Sequence, residues 1–114
     1  MEKRYRLKSN GAFLFAYRRG KSTSTRDLVM HAAKGRSVKV GFSVSKKVGN
    51  AVVRNRTKRR LRECFRPHLG DMKNGLYVIV ARPSAAQATF QSLQQQVEDL
   101  LRRCHGIKEG NRAP

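Results

Sequence analysis

The sequence predicts a single small α+β domain, and three observations carry that prediction. Val38 to Val44 alternates between apolar and small or polar residues, as a strand with one buried face does. Leu76 to Ala81 is an unbroken apolar run between Gly75 and Pro83, which reads as a buried strand. Apolar residues also recur at helical spacing, at Val53, Thr57, Leu61, Cys64 and Phe65, and again at Leu93, Val97, Leu100, Leu101 and Cys104. A length of 114 residues fits one modest core, and the 39% hydrophobic content is clustered as in a folded domain.

Taken in order, residues 1–8 form a basic lead-in. Ser9 or Asn10 can cap a first helix carrying Phe13, Ala16 and Tyr17 on one side, and Gly20 can end it. Lys21 to Asp27 is polar and rich in Ser and Thr, and reads as a connection. Leu28 to Ala32 reads as a strand, and a Lys34-Gly35-Arg36 turn leads to the strand at Val38 to Val44. There is room for a third short strand before Lys46.

In the alternating strand Val40, Phe42 and Val44 share the core face. Gly41, Ser43 and Ser45 share the other, and such small side chains leave open space above the backbone. Lys46 to Asn50 is a basic turn, with Asn50 placed to cap a central helix that runs to Phe65 and exits at Pro67. Val52 would point to solvent in a continuous helix, which suggests that it precedes the first full turn. Thr89 can cap a last helix, and residues 105–114 are expected to be a disordered basic tail after a domain spanning residues 1–104.

Charge is the strongest clue to function. The chain has 26 Lys and Arg against 7 Asp and Glu, a formal charge of +19. Arg54, Arg56, Lys58, Arg59, Arg60 and Arg62 place six cations in nine residues. As a helix those nine residues span only about 12 Å, so the cations repel one another and a polyanion would relieve them. A solvated face normally mixes signs, but Glu63 is the only acid between Arg36 and His68. Membrane binding fits poorly, because the large apolar residues of this helix, Leu61 and Phe65, are needed for the core.

The residues offer little chemistry of their own. A metal-dependent nuclease needs clustered carboxylates, and only Glu98 and Asp99 are adjacent, on a helix where neighbours do not face each other. Nothing in the sequence brings His31 and His68 together as an acid–base pair, and His105 lies in the tail. Cys64 and Cys104 sit among apolar residues and read as free, buried thiols. The longest apolar run near the N-terminus, Ala12 to Tyr17, is too short for a signal peptide or membrane span, and a cytoplasmic location with no membrane partner is expected. Phe13 and Tyr17, one turn apart, could pack inward or serve as stacking platforms for unpaired bases; spacing alone favours the core.

The stretch from Val40 to Glu63 (VGFSVSKKVGNAVVRNRTKRRLRE) closely resembles the signature of the bacterial ribonuclease P protein subunit, whose Arg-Asn-Arg motif stands here as Arg54-Asn55-Arg56. Arg6-Leu7, Phe13, Gly20 and Ile79-Val80-Ala81-Arg82 extend the likeness over roughly residues 4 to 104. The resemblance implies an αβββαβα order, a four-stranded sheet and a left-handed βαβ crossover, which periodicity would not suggest. It also implies one protein bound to one large catalytic RNA. That holoenzyme would cut the 5′ leader from precursor tRNA, with Mg2+ held mainly by the RNA.

By position, Lys46, Lys47, Arg54, Asn55, Arg56, Lys58, Arg59 and Arg62 would face the catalytic RNA. Phe13, Tyr17, Val29, His31 and Ser43 would line a cleft for the single-stranded leader, and no residue of this chain would be catalytic. The resemblance thus shifts Phe13 and Tyr17 from core to cleft. Family members often carry an aromatic where His31 stands and Phe where Tyr17 stands, which bears on the choice of leader. The competing reading is a ribosome-associated RNA-binding protein with no nuclease role.

Overall fold

The computed structural model describes residues 2–104. Its helices are α1 (Asn10–Arg19), α2 (Ala51–Phe65) and α3 (Phe90–Arg103), and its strands are β1 (Lys21–Ser24), β2 (Leu28–Ala33), β3 (Val38–Ser43) and β4 (Gly75–Ala81). The order is αβββαβα, as the resemblance implies. The strands form one sheet in the order β1-β2-β4-β3. β2 pairs antiparallel with both β1 and β4, whereas β3 and β4 are parallel and joined through α2.

One face of the sheet, with Leu28, Met30, Val40, Tyr77 and Ile79, shares a core with Leu61 and Phe65 of α2 and with Leu93, Val97, Leu100 and Leu101 of α3. Burying each such Leu, Ile or Phe contributes about 1.5–3 kcal/mol. α1 packs on β2 and β4 from the other face, and Ala16 and Val78 are fully buried there.

Each helix starts where a cap was expected. The side chains of Ser9, Asn50 and Thr89 accept from the amides of Ala12, Val53 and Ser92, each at 3.0 Å. The turn into α2 requires Gly49, which has φ +157°; a Cβ there would lie 2.8 Å from Val53 Cγ1. The exit is a 3-10 helix, Arg66–Asp71, carrying Pro67 near its start.

Three expectations need correction. Lys21 to Asp27 is not simply a connection, because its first four residues form β1. This edge strand pairs on one side only and buries little, so no apolar alternation marks it. Val52 does not lie before the first full turn: it is the second residue of α2 and points to solvent there, 73% exposed. The face of β3 carrying Gly41 is not open throughout, since Phe13 occupies the space above that glycine. The expected tail at residues 105–114 lies outside the described residues.

A buried polar network ties the β1–β2 turn to α3. Gln96 Oε1 accepts from Thr25 Oγ1 (2.6 Å) and the Asp27 amide (2.9 Å), while Gln96 Nε2 donates to Asp27 Oδ2 (2.7 Å) and Ser92 Oγ (3.1 Å). Burial alone would raise the Asp27 carboxyl, but hydrogen bonds from Ser84 and Gln96 and the charge of Arg26 outweigh it and hold the group below its usual value. A depressed folded value means that this stabilisation is present above the unfolded carboxylate range and is lost as pH falls through the folded value. Asp27→Asn should therefore cost about 1.5–3 kcal/mol at neutral pH, and less in acid as the wild type loses the same contribution. Thermal melts from pH 7 to 3 would show the two curves converging; a constant gap would assign the effect to packing instead.

Candidate nucleic-acid interface

α2 divides its surface by depth. Thr57, Leu61, Cys64 and Phe65 are buried, and Thr57 Oγ1 donates to the Val53 carbonyl (2.9 Å), so the seam's one hydroxyl is satisfied. Arg54, Lys58 and Arg62 follow one another at a turn's spacing and are half-buried, while Asn55, Arg56 and Arg59 are exposed. Arg60 is committed to the fold, because its guanidinium donates to the Ala88 carbonyl (3.0 Å) ahead of α3.

The electrostatics of this helix are unbalanced. Glu63 pairs with Arg66 (3.4 Å), and among the described residues none of the six cations from Arg54 to Arg62 has an ion-pair partner. Arg54 Nε is buried with no hydrogen-bond partner among those residues. The first turn of α2 contains no acid. Its positive dipole end therefore meets Arg54 and the nearby Lys46 and Lys47 rather than a carboxylate, an arrangement that an anion from outside would stabilise. Lys46 and Lys47 are exposed on the turn after β3.

A second region lies between α1 and the sheet. Across the strands, Ser22, His31, Val78 and Gly41 form one row, and Ser24, Val29, Val80 and Ser43 form the next. α1 is seated over the first row. Tyr17 meets His31 edge-on, with ring centroids 5.0 Å apart and planes at 87°. At the other end a Cβ on Gly41 would fall 2.5 Å from Phe13 Cζ, so only glycine admits the ring. Val29, Val80 and Ser43 are half-buried and form a floor beside α1, and Tyr17 is 39% exposed at its wall.

Phe13 joins the two regions. With Arg6, Leu7, Gly41, Phe42, Lys58 and Arg62 it borders a cavity of about 230 Å³ between β3 and α2. Thus the structure brings Phe13 to Lys58 and Arg62, and Tyr17 to His31. Several lining residues escaped the site expected from sequence, Val80 and Arg6 among them. Val80 lies in a run apolar on both faces, where alternation cannot tell which side chain meets α1. Arg6 is brought in by a parallel bridge with Val40 that has no local signature.

These residues do not suit a protein-held Mg2+. Among the described residues no group of three or more His, Cys, Asp or Glu could hold a metal ion, and the cations of α2 would repel one. Burial, aided by Glu63, pushes the Cys64 thiol up to about 11, so it stays protonated at neutral pH. Neither Cys64 nor Cys104 forms a disulfide, and Cys104, expected to be buried, is half-buried.

The family model described as Ribonuclease P matches residues 1–105. The chain is 43% identical over 105 residues to the ribonuclease P protein component of Staphylococcus carnosus, covering 90% of this chain and 91% of that one. It is 45% identical over 107 residues to the Symbiobacterium thermophilum protein of the same name, covering 90% and 93%. Its fold is similar to the RNase P protein of Staphylococcus aureus, with TM-score 0.85, 33% identity and coverage of 91% and 98%. For the Thermotoga maritima RNase P protein the TM-score is 0.77, with 28% identity and coverage of 86% and 96%. With its αβββαβα fold, its Arg54-Asn55-Arg56 helix and this match over nearly its whole length, the chain belongs to the ribonuclease P protein-component family.

Proposed function

We propose that this chain is the RNA-gripping subunit of a cytoplasmic ribonuclease P, binding one catalytic RNA through α2 and the 5′ leader of precursor tRNA through the cleft beside α1. The observation that carries the reading is the set of cations on α2 with no ion-pair partner among the described residues. Phosphates would supply the missing partners, beginning with the half-buried Arg54, while Asn55 can both donate and accept toward a base or ribose. Lys46 and Lys47 would approach the same RNA from the turn before the helix. In the cleft, Tyr17 and His31 would stack on unpaired bases over the Val29, Val80 and Ser43 floor, with Phe13 leading back to Lys58 and Arg62.

In this reading the catalytic RNA holds the Mg2+ that the hydrolysis requires, and this chain contributes binding and charge. Purified protein with Mg2+ should leave precursor tRNA intact, and should restore 5′ cleavage at low Mg2+ when the catalytic RNA is added, since its cations reduce RNA–RNA repulsion. Cleavage by protein alone, surviving rigorous nuclease removal, would overturn the division of labour. Recovery of ribosomal RNA, instead of one large RNA with precursor tRNA, in a pull-down would favour a ribosome-associated role.

If α2 neutralises about five phosphates, log affinity for the catalytic RNA should fall with log salt at a slope near −4. Arg59→Ala should reduce that slope by about one unit without unfolding the domain, because its side chain is exposed. Unchanged affinity and slope in an Arg54, Arg59 and Arg62 triple variant would move the RNA surface elsewhere.

Tyr17→Ala should weaken holoenzyme binding to precursor tRNA by about 1–3 kcal/mol, the worth of one stacked base, and leave mature tRNA binding as it was. An equal effect on both tRNAs, with a normal melt, would remove Tyr17 from the leader site.

A further inference from the structure

The basic lead-in at the N-terminus, whose Arg6 and Leu7 also border the cavity beside α2, builds a further feature lined by no residue of α2 and by none of the expected leader-cleft residues. Residues 2–8 lie along the outer edge of β3. Arg6 bridges Val40 in parallel, the Leu7 amide donates to the Val40 carbonyl (3.1 Å), and Lys39 Nζ donates to the Arg4 carbonyl. Tyr5 packs against the core beneath. Held in this way, the arm, the first turn of α1 and the adjacent β3–β4 pair Lys39 and Leu76 border an open-sided cavity of about 570 Å³.

The lining of this cavity is two-sided in chemistry. Leu7, Ala12 and Leu76 give it an apolar floor, and Lys3, Arg4, Arg6, Lys8 and Lys39 ring it with no acid among the lining residues. Glu2 engages Arg4 (2.8 Å), but among the described residues Lys3, Arg6 and Lys8 have no ion-pair partner. The volume falls in the range of roughly 300–1,000 Å³ typical of small-ligand clefts. An apolar floor beneath a cationic rim suits one base with its phosphates.

We infer that this cavity takes an unpaired nucleotide of the ribonuclease P RNA, as a second RNA contact separate from α2 and from the leader cleft. The inference rests on the function proposed above. Lys39, Gly41 and Ser43 share one face of β3, and the Phe13 ring over Gly41 stands between Lys39 in the new cavity and Ser43 in the leader cleft. Lys39 and Ser43 are about 13 Å apart along the strand. A leader lying on the Val29, Val80 and Ser43 floor would have to cross α1 to enter, so the occupant comes from the catalytic RNA.

Two variants test this differently. Ala12→Phe fills the floor without altering charge, and Lys3→Ala/Lys8→Ala removes two rim cations while sparing the bridge to β3. Each is titrated against transcribed catalytic RNA across a salt series, with thermal melts, and the assembled holoenzymes are titrated with precursor and mature tRNA. Ala12→Phe should weaken RNA binding about tenfold at unchanged salt slope, the effect of losing one buried base contact. The double variant should reduce the slope by about two units. Both should keep the wild-type preference for precursor over mature tRNA.

Wild-type RNA affinity in a folded Ala12→Phe protein would overturn the inference; should that protein fail to fold, an unchanged slope in the double variant would do so. A reduced precursor preference at full RNA affinity would assign the cavity to the leader and overturn it equally. Failure of the wild type itself to bind the catalytic RNA would instead sink the function proposed above.

Discussion

The central helix has to satisfy two opposed demands along fifteen residues. It must hold six cations close together, and it must keep a stripe narrow enough to dock yet apolar enough to hold it folded. Self-repulsion among the cations opposes helix formation at each turn. Burial of Leu61, Cys64 and Phe65 against the sheet and α3 offsets it, and Arg60 adds a tether by reaching the Ala88 carbonyl. One cation is thus spent on holding the helix so that its neighbours can remain unpaired. Much of the remaining architecture follows from that docking, because α2 is also the crossover that makes β3 and β4 parallel neighbours.

The packing of Phe13 on Gly41 does for the sheet's second face what Leu61 and Phe65 do for its first. It fixes one end of α1 over β3 while Tyr17 rests on His31 of β2 at the other. The helix therefore lies across the strands, covering one row of side chains and leaving the next accessible. A larger residue at 41 would lift the ring, and with it the wall that divides the floor around Ser43 from the space around Lys39.

Much of this was legible in the chain. The caps at Ser9, Asn50 and Thr89, the seam of α2 and the alternation of β3 are all local patterns, set by hydrogen-bonding side chains and by period. The cation cluster was equally plain, since unbalanced charge needs no fold to be counted. What escaped either carries no apolar pattern of its own or depends on contacts distant in sequence. β1 is a polar edge strand, recognisable only from its pairing with β2. The half-buried state of Lys58 and Arg62 depends on Phe13 and Arg6 arriving from more than forty residues away. Small side chains on β3 suggested empty space, whereas at Gly41 the missing side chain is what lets an aromatic ring settle on the backbone.

The position of β4 between β2 and β3 has a bearing on how the protein comes into being. While the chain is being synthesised, β3 has no strand partner until residues 75–81 have emerged, because its neighbour in the sheet lies beyond α2 in sequence. Insertion of β4 closes two strand pairings at once and creates the shared surface on which α2 and α3 settle. Contacts of such wide sequence separation are slow to form and late to stabilise. A truncated or stalled chain ending before β4 would carry the basic helix without its docking surface. The placement of the basic helix against the sheet is thereby coupled to completion of the fold, while its charge would be present much earlier.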